Sequence, residues 1–275
     1  MPSILLLSRL RRLALATLLG TAVAAAAVHA AVPAAGDTID MSVAVGKALS
    51  DALDLMAAGK LDEAAAALQA LRAGGLNDYE TSRVLQQLVN LDINRNDTAA
   101  ALADSEALLA TASLSAGERT SATLLLGKLY LQAEDWSRGI AALQQVNDSQ
   151  GGTVMETLYL LGFGHYRTQQ PAQAIGFLEQ AVQVGGSQAG EPHYSLLGVL
   201  YVNAKDYPKA VAAYENLFAA VPAPTQAESY ASTLAQLYVQ TGDTAKARAR
   251  LEQLITDFPG SARLGDYRSR LAALR

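Results

Sequence analysis

The segment EPHYSLLGVLYVNAKDYPKAVAAYENLFAAVP, residues 191–222, decides the fold. Leu197-Gly198-Val199-Leu200-Tyr201, then Asp206-Tyr207-Pro208-Lys209-Ala210, Tyr214 and Pro222 read as a helix, a short turn, a second helix and a stop. Apolar residues recur at helical spacing on both sides of the turn. The same order returns at Leu234-Ala235-Gln236-Leu237-Tyr238, Gly242-Asp243, Ala247, Leu251 and Pro259. Upstream lie Leu161-Gly162 with His165, Ala174, Leu178 and Ala181, and Leu126-Gly127 with Tyr130, Trp136 and Leu143. Two weaker copies come first: Leu88-Val89 with Asp97, Ala101 and Leu108, and Ala52 with Leu55, Gly59, Ala64, Leu68 and Leu71. The equivalent positions 52, 89, 127, 162, 198 and 235 are 35 to 38 residues apart. A fixed period of that length marks a repeat architecture, in which each unit buries its apolar face against its neighbours.

The residue types at those positions have a packing reason. Gly inside a helix costs roughly 1 kcal/mol relative to Ala, so Gly127, Gly162 and Gly198 at one register imply a partner helix too close for a larger side chain. Ala64, Ala101, Ala174, Ala210 and Ala247 lie twelve residues after that position, which places them on the second helix facing the first. Asp97, Asp135, Asp206 and Asp243 stand just before the second helices, where a carboxylate accepts unpaired N–H groups of the first turn. Pro171 and Pro208 fit the first turns of their helices; Pro222 and Pro259 fit their ends.

This pattern resembles the tetratricopeptide repeat: an aromatic, Leu-Gly, Tyr, Ala, an aromatic or Leu, Ala and Pro across about 34 residues. The copy from Glu191 fits best, through Tyr194, Leu197, Gly198, Tyr201, Tyr207, Ala210, Tyr214 and Pro222; the first departs most, with Asp51 where Leu is expected. The resemblance implies an all-α chain, an α-α superhelix of about six helix-turn-helix repeats over residues 41–260. A capping helix is expected over 261–275, with Leu264, Tyr267, Leu271 and Leu274 on one face. A narrower resemblance is to periplasmic repeat proteins associated with TonB energy-transduction systems. It rests on Gly59-Lys60-Leu61-Asp62-Glu63-Ala64, Asp78-Tyr79-Glu80, Leu129-Tyr130-Leu131, Glu156-Thr157-Leu158-Tyr159-Leu160-Leu161 and the run from Glu191 to Tyr207. It implies an accessory role near the inner-membrane motor and outer-membrane transporters.

Residues 1–30 read as a cleaved secretory signal. Arg9, Arg11 and Arg12 stand without an acid, Leu13 to Val28 is apolar, and Val28-His29-Ala30 fits the small-x-small cleavage rule. About sixteen apolar residues fall short of the roughly 20 that span a bilayer. The expected mature protein begins at Ala31, with a flexible stretch over 31–40, no membrane span and a periplasmic location; a secreted or anchored form is the alternative. Removing the signal takes three Arg and no acid from a chain of net charge −5, so the mature protein is more acidic still. That balance gives no electrostatic footprint for nucleic acid. The absence of cysteine excludes disulfides, thiolate zinc sites and a cysteine nucleophile.

No enzyme or cofactor is read from the chain. His165 and His193 form no ligand-spaced pair, so no metal is expected, and His165 stands where the pattern wants a packing Tyr. Gly162-Phe163-Gly164 lies inside a helix with no preceding strand, and Gly185-Gly186-Ser187 lacks a P-loop Lys. Adjacent acids such as Asp62-Glu63 point in different directions. Function is therefore sought on the first helices, which line the inner face of such arrays. The register places there Gln86, Asn90, Ile93 and Asn94; Leu124, Lys128, Leu131 and Gln132; Tyr159, Phe163, Tyr166 and Arg167; Ser195, Val199, Val202 and Asn203; Ser232, Gln236, Val239 and Gln240. Amides pair with a peptide backbone whatever its sequence. Tyr159, Phe163, Tyr166 and Arg167 carry the residue types of binding hot spots, with packing between repeats as the alternative role. Glu156 stands where a carboxylate clamp wants a cation. The expected partner is a protein or peptide of the cell envelope; envelope assembly, division and polysaccharide export are the sibling roles, and Tyr clusters also stack on sugars.

Overall fold

A computed structural model describes residues 41–274; the signal expected over 1–30 and the flexible stretch expected over 31–40 lie outside the described residues. Thirteen α-helices follow one another there with no strand. They form two compact units, divided between Ser149 and Gln150. The first holds hairpins α1/α2 (Val43–Ala57, Leu61–Arg72), α3/α4 (Asp78–Asn94, Thr98–Ala110) and α5/α6 (Ala116–Gln132, Trp136–Ser149). The second holds α7/α8 (Met155–Arg167, Pro171–Gly185), α9/α10 (Glu191–Asn203, Tyr207–Ala220) and α11/α12 (Ala227–Gln240, Thr244–Asp257), closed by α13 (Leu264–Ala273).

Each hairpin closes on the small residues. Ala52, Ala64, Ala101, Ala174, Ala210, Ala235 and Ala247 are wholly buried. A methyl on Gly198 would lie 2.7 Å from the Tyr214 ring, and one on Gly162 2.6 Å from Leu178 Cγ. Gly139, which the sequence reading passed over, belongs to the same set: a methyl there would meet Leu131 at 2.6 Å and the Gly127 carbonyl at 3.3 Å. The four capping carboxylates accept as expected, Asp97 from Ala100 N–H at 3.0 Å, Asp135 from Arg138 at 3.1 Å, Asp206 from Lys209 at 3.2 Å and Asp243 from Lys246 at 3.0 Å.

Every turn inside a hairpin is built alike. Gly59, Asn96, Glu134, Gln169, Lys205 and Gly242 have positive φ, each seven residues after the small position. The next N–H returns to a carbonyl in the last turn of the first helix, as Asp206 N–H does to Tyr201 O at 2.9 Å and Asp243 N–H to Tyr238 O at 2.8 Å. This closure satisfies helix-end carbonyls and reverses the chain in few residues. The four non-glycine residues accept a left-handed backbone for it.

Hairpins are joined by a recurring trio. Tyr130 donates to Glu106 at 2.5 Å, Tyr201 to Glu179 at 2.5 Å and Tyr238 to Glu215 at 2.8 Å. Arg138, Lys209 and Lys246 reach the same carboxylates at 3.3, 3.1 and 3.0 Å while lying over the Tyr rings. Each trio ties the second helix of one hairpin to both helices of the next.

In the first unit, Asp51 at the expected Leu position is exposed and pairs with Lys47 at 2.7 Å, so the first hairpin forms without a Leu there. In the second, α13 begins at Leu264, and Ser261 donates to Glu228 at 2.5 Å. Tyr267 of α13 is wholly buried with Leu251, Leu254 and Ala235 and donates to Glu228 at 2.7 Å. It repeats the bond of Tyr230 to Glu191 one period earlier, so α13 takes the place of another first helix. No helix among the described residues is long and apolar enough to cross a membrane.

Candidate functional site

On the first unit, α3 carries Gln86, Asn90 and Asn94 at four-residue steps, and that spacing keeps them on one stripe. Asn90 and Asn94 are exposed; Gln86 is half-buried and accepts from Arg83 Nη1 at 2.9 Å. Arg83 also pairs with Glu118 at 2.6 Å and lies over the Tyr79 ring. On α5, Lys128 and Gln132 are half-buried, while Leu131 is wholly buried and supports Gly139 rather than lining a surface.

On the second unit, Asn203 of α9 and Gln236, Val239 and Gln240 of α11 are exposed, Val202 half-buried. The aromatic strip read on α7 divides. Tyr159, Tyr166 and Arg167 are half-buried. Phe163 is only 4% exposed, so its expected place on an open strip is corrected: it is a packing residue with the Arg167 guanidinium 5.9 Å above its ring. The reason lies in the helix's neighbours. α7 is covered by α8 on one side and meets α9 on another, where the Tyr159 ring lies 4.9 Å from that of His193. Thr157, Leu158 and Leu160 to Gly164 are all buried. Burial pushes the Tyr159 hydroxyl up to about 12. Ser195, Val199 and Ser232, also read as lining, are buried.

The histidines are packing groups. His165 Nδ1 lies 2.8 Å from Gln170 Oε1 and its ring stacks on Phe177 at 5.4 Å. His193 Nδ1 accepts from Gly190 N–H at 3.3 Å at the start of α9, and burial holds its pKa below the usual histidine range. Among the described residues, no three His, Asp or Glu side chains gather so as to hold a metal ion.

One feature escaped the sequence reading. Arg263 and Arg270 both donate to Ser232 Oγ, at 2.7 and 3.2 Å, and so bring two guanidinium groups onto the first-helix face of α11. The cluster of arginines in the last helix was its visible signal.

What the described first-helix surfaces offer is hydrogen bonding: exposed amides at repeated register, a half-buried Lys and Arg, and an exposed Val, on helices packed through buried small residues. Comparison with known proteins agrees on the architecture. Residues 201–271 match the family model described as tetratricopeptide repeat. No curated protein sequence matches the chain. The fold is similar to that of the MamA protein, at 20% identity and a TM-score of 0.56, covering 67% of this chain and 95% of that one. It is also similar to a tetratricopeptide repeat protein from Parabacteroides merdae (16% identity, TM-score 0.58, 84% and 86% covered). PilW gives 14% identity and a TM-score of 0.55, with 82% and 99% covered. The chain is thus a repeat protein of tandem helix hairpins, whose residues 201–271 carry the tetratricopeptide repeat signature.

Proposed function

We propose that this protein is a periplasmic adaptor that binds a protein partner over the first-helix faces of its hairpins, as an accessory component of a TonB-type energy-transduction system. The observation that carries the binding role is the exposure of Asn90, Asn94, Asn203, Gln236 and Gln240 on first helices whose other faces are consumed by packing. Amides donate and accept together, so such faces suit an extended or helical peptide segment. The periplasmic location rests on the signal-like residues 1–30, and the TonB link on the sequence resemblance. A second reading, an adaptor of envelope assembly, division or polysaccharide export, draws on the similar fold of PilW, which is described as a type IV pilus biogenesis factor.

Photo-crosslinking in cells tests both parts. A crosslinker at Asn90 or Gln236 should capture a defined partner, and one at exposed Ala212 on α10 should not. Recovery of TonB-system components supports the first reading; pilus, division or export components support the second. Equal capture from all three positions would reject the first-helix faces as the binding surface.

A further inference from the structure

The first unit holds a pair of carboxyls that no binding role uses. Asp92 of α3 and Asp104 of α4 are 6% and 5% exposed. Their side chains lie within hydrogen-bonding reach of each other. Asp104 Oδ1 accepts from Arg72 Nη1 of α2 at 2.5 Å, whereas Asp92 Oδ2 is buried without a donor. A buried carboxylate oxygen facing a second carboxylate is satisfied when one proton lies between them. One proton and one guanidinium then neutralise two carboxyls, leaving no net charge inside the seam. Around the pair stand Arg95 and Asp97 in the α3–α4 turn; Arg95 also pairs with exposed Asp62 of α2 at 3.0 Å, and Asp97 is occupied as a cap.

We propose that Asp92 and Asp104 share one proton, which makes the contact of α3 with α4 inside the second hairpin a pH-sensitive clasp, tight in mild acid and weakened as that proton leaves. α2 contributes Arg72 to the pair, and α3 and α4 contribute one carboxyl each, so loss of the proton sets two negative charges against each other between α3 and α4 with a single guanidinium to balance them. Burial first, then the charges of Asp104 and Asp97, raise the Asp92 carboxyl to about 6; Arg95 opposes them. The folded state therefore holds the proton where the unfolded chain has released it. The stabilisation is complete below the ordinary Asp range and is lost as pH rises through about 6.

The test is denaturant unfolding of the wild type and Asp92→Asn from pH 4 to pH 7.5. Asn keeps the shape, donates to Asp104 and cannot ionise. The ratio of wild-type to variant unfolding constants should rise by up to roughly a hundredfold across that window, because only the wild type traps a charge. A ratio that stays flat overturns the proposal. Infrared spectroscopy of the wild type gives a readout independent of the variant's folding. A protonated-carboxyl band that persists at pH 6, above the range in which ordinary carboxyls hold their protons, and is lost by pH 7.5 supports the shared proton; its absence at pH 6 overturns it.

Discussion

Substituting Gly198 by Ala sets two physical effects against each other. Helix propensity favours Ala over Gly by roughly 1 kcal/mol at an interior position. The added methyl, however, would sit 2.7 Å from both Cε2 and Cζ of Tyr214. Real Cβ contacts do not come so close, so the ring or α10 must shift by the better part of an ångström. Tyr214 has little room to yield, being 1% exposed and tilted against Tyr230 at a centroid distance of 5.9 Å. Overpacking of this kind costs about 1 to 3 kcal/mol, which leaves a net loss of up to about 2 kcal/mol. Gly176 supplies the control. It lies inside α8 of the same unit with nothing within 4 Å of an added methyl, so Gly176→Ala should gain up to about 1 kcal/mol. Urea unfolding of the two variants beside the wild type reads both signs, and melting temperatures should move in opposite directions by a few degrees. Gly198→Ala as stable as Gly176→Ala would refute the close approach of α9 and α10, and with it the register on which the repeats were aligned.

Two further outcomes follow from the second unit. Phe163→Ala should cost about 3 to 5 kcal/mol of stability, as core Phe truncations do, while Arg167→Ala changes the melting temperature little; a stable Phe163→Ala protein would return that ring to the surface. Tyr201→Phe removes the hydroxyl that, ahead of Lys209, holds the Glu179 carboxyl below its ordinary range. The wild type should therefore exceed the variant by about 1 kcal/mol at neutral pH, an advantage lost as pH falls through the lowered Glu179 pKa, and a difference independent of pH would show that the Glu179 link carries none of it.

The sequence by itself determined what depends on neighbours along the chain. The 35-to-38-residue period, the small residues paired across each hairpin, the capping aspartates and the prolines at helix ends all express helix geometry and end chemistry, which act within a few residues and so leave a periodic trace. Even there the trace was partial: the left-handed residues at Asn96, Glu134, Gln169 and Lys205 carry no glycine to announce them. What faces solvent was beyond that reach. Counting positions on α7 put Phe163 on an open strip, but a helix flanked by two others has less free surface than its own pattern implies, and burial follows the second neighbour. The trios at Glu106, Glu179 and Glu215, the arginines on Ser232 and the Asp92–Asp104 pair join residues of different helices. Only the tertiary structure brings those groups within bonding distance, because their meeting depends on how helices pack and not on spacing along any one of them.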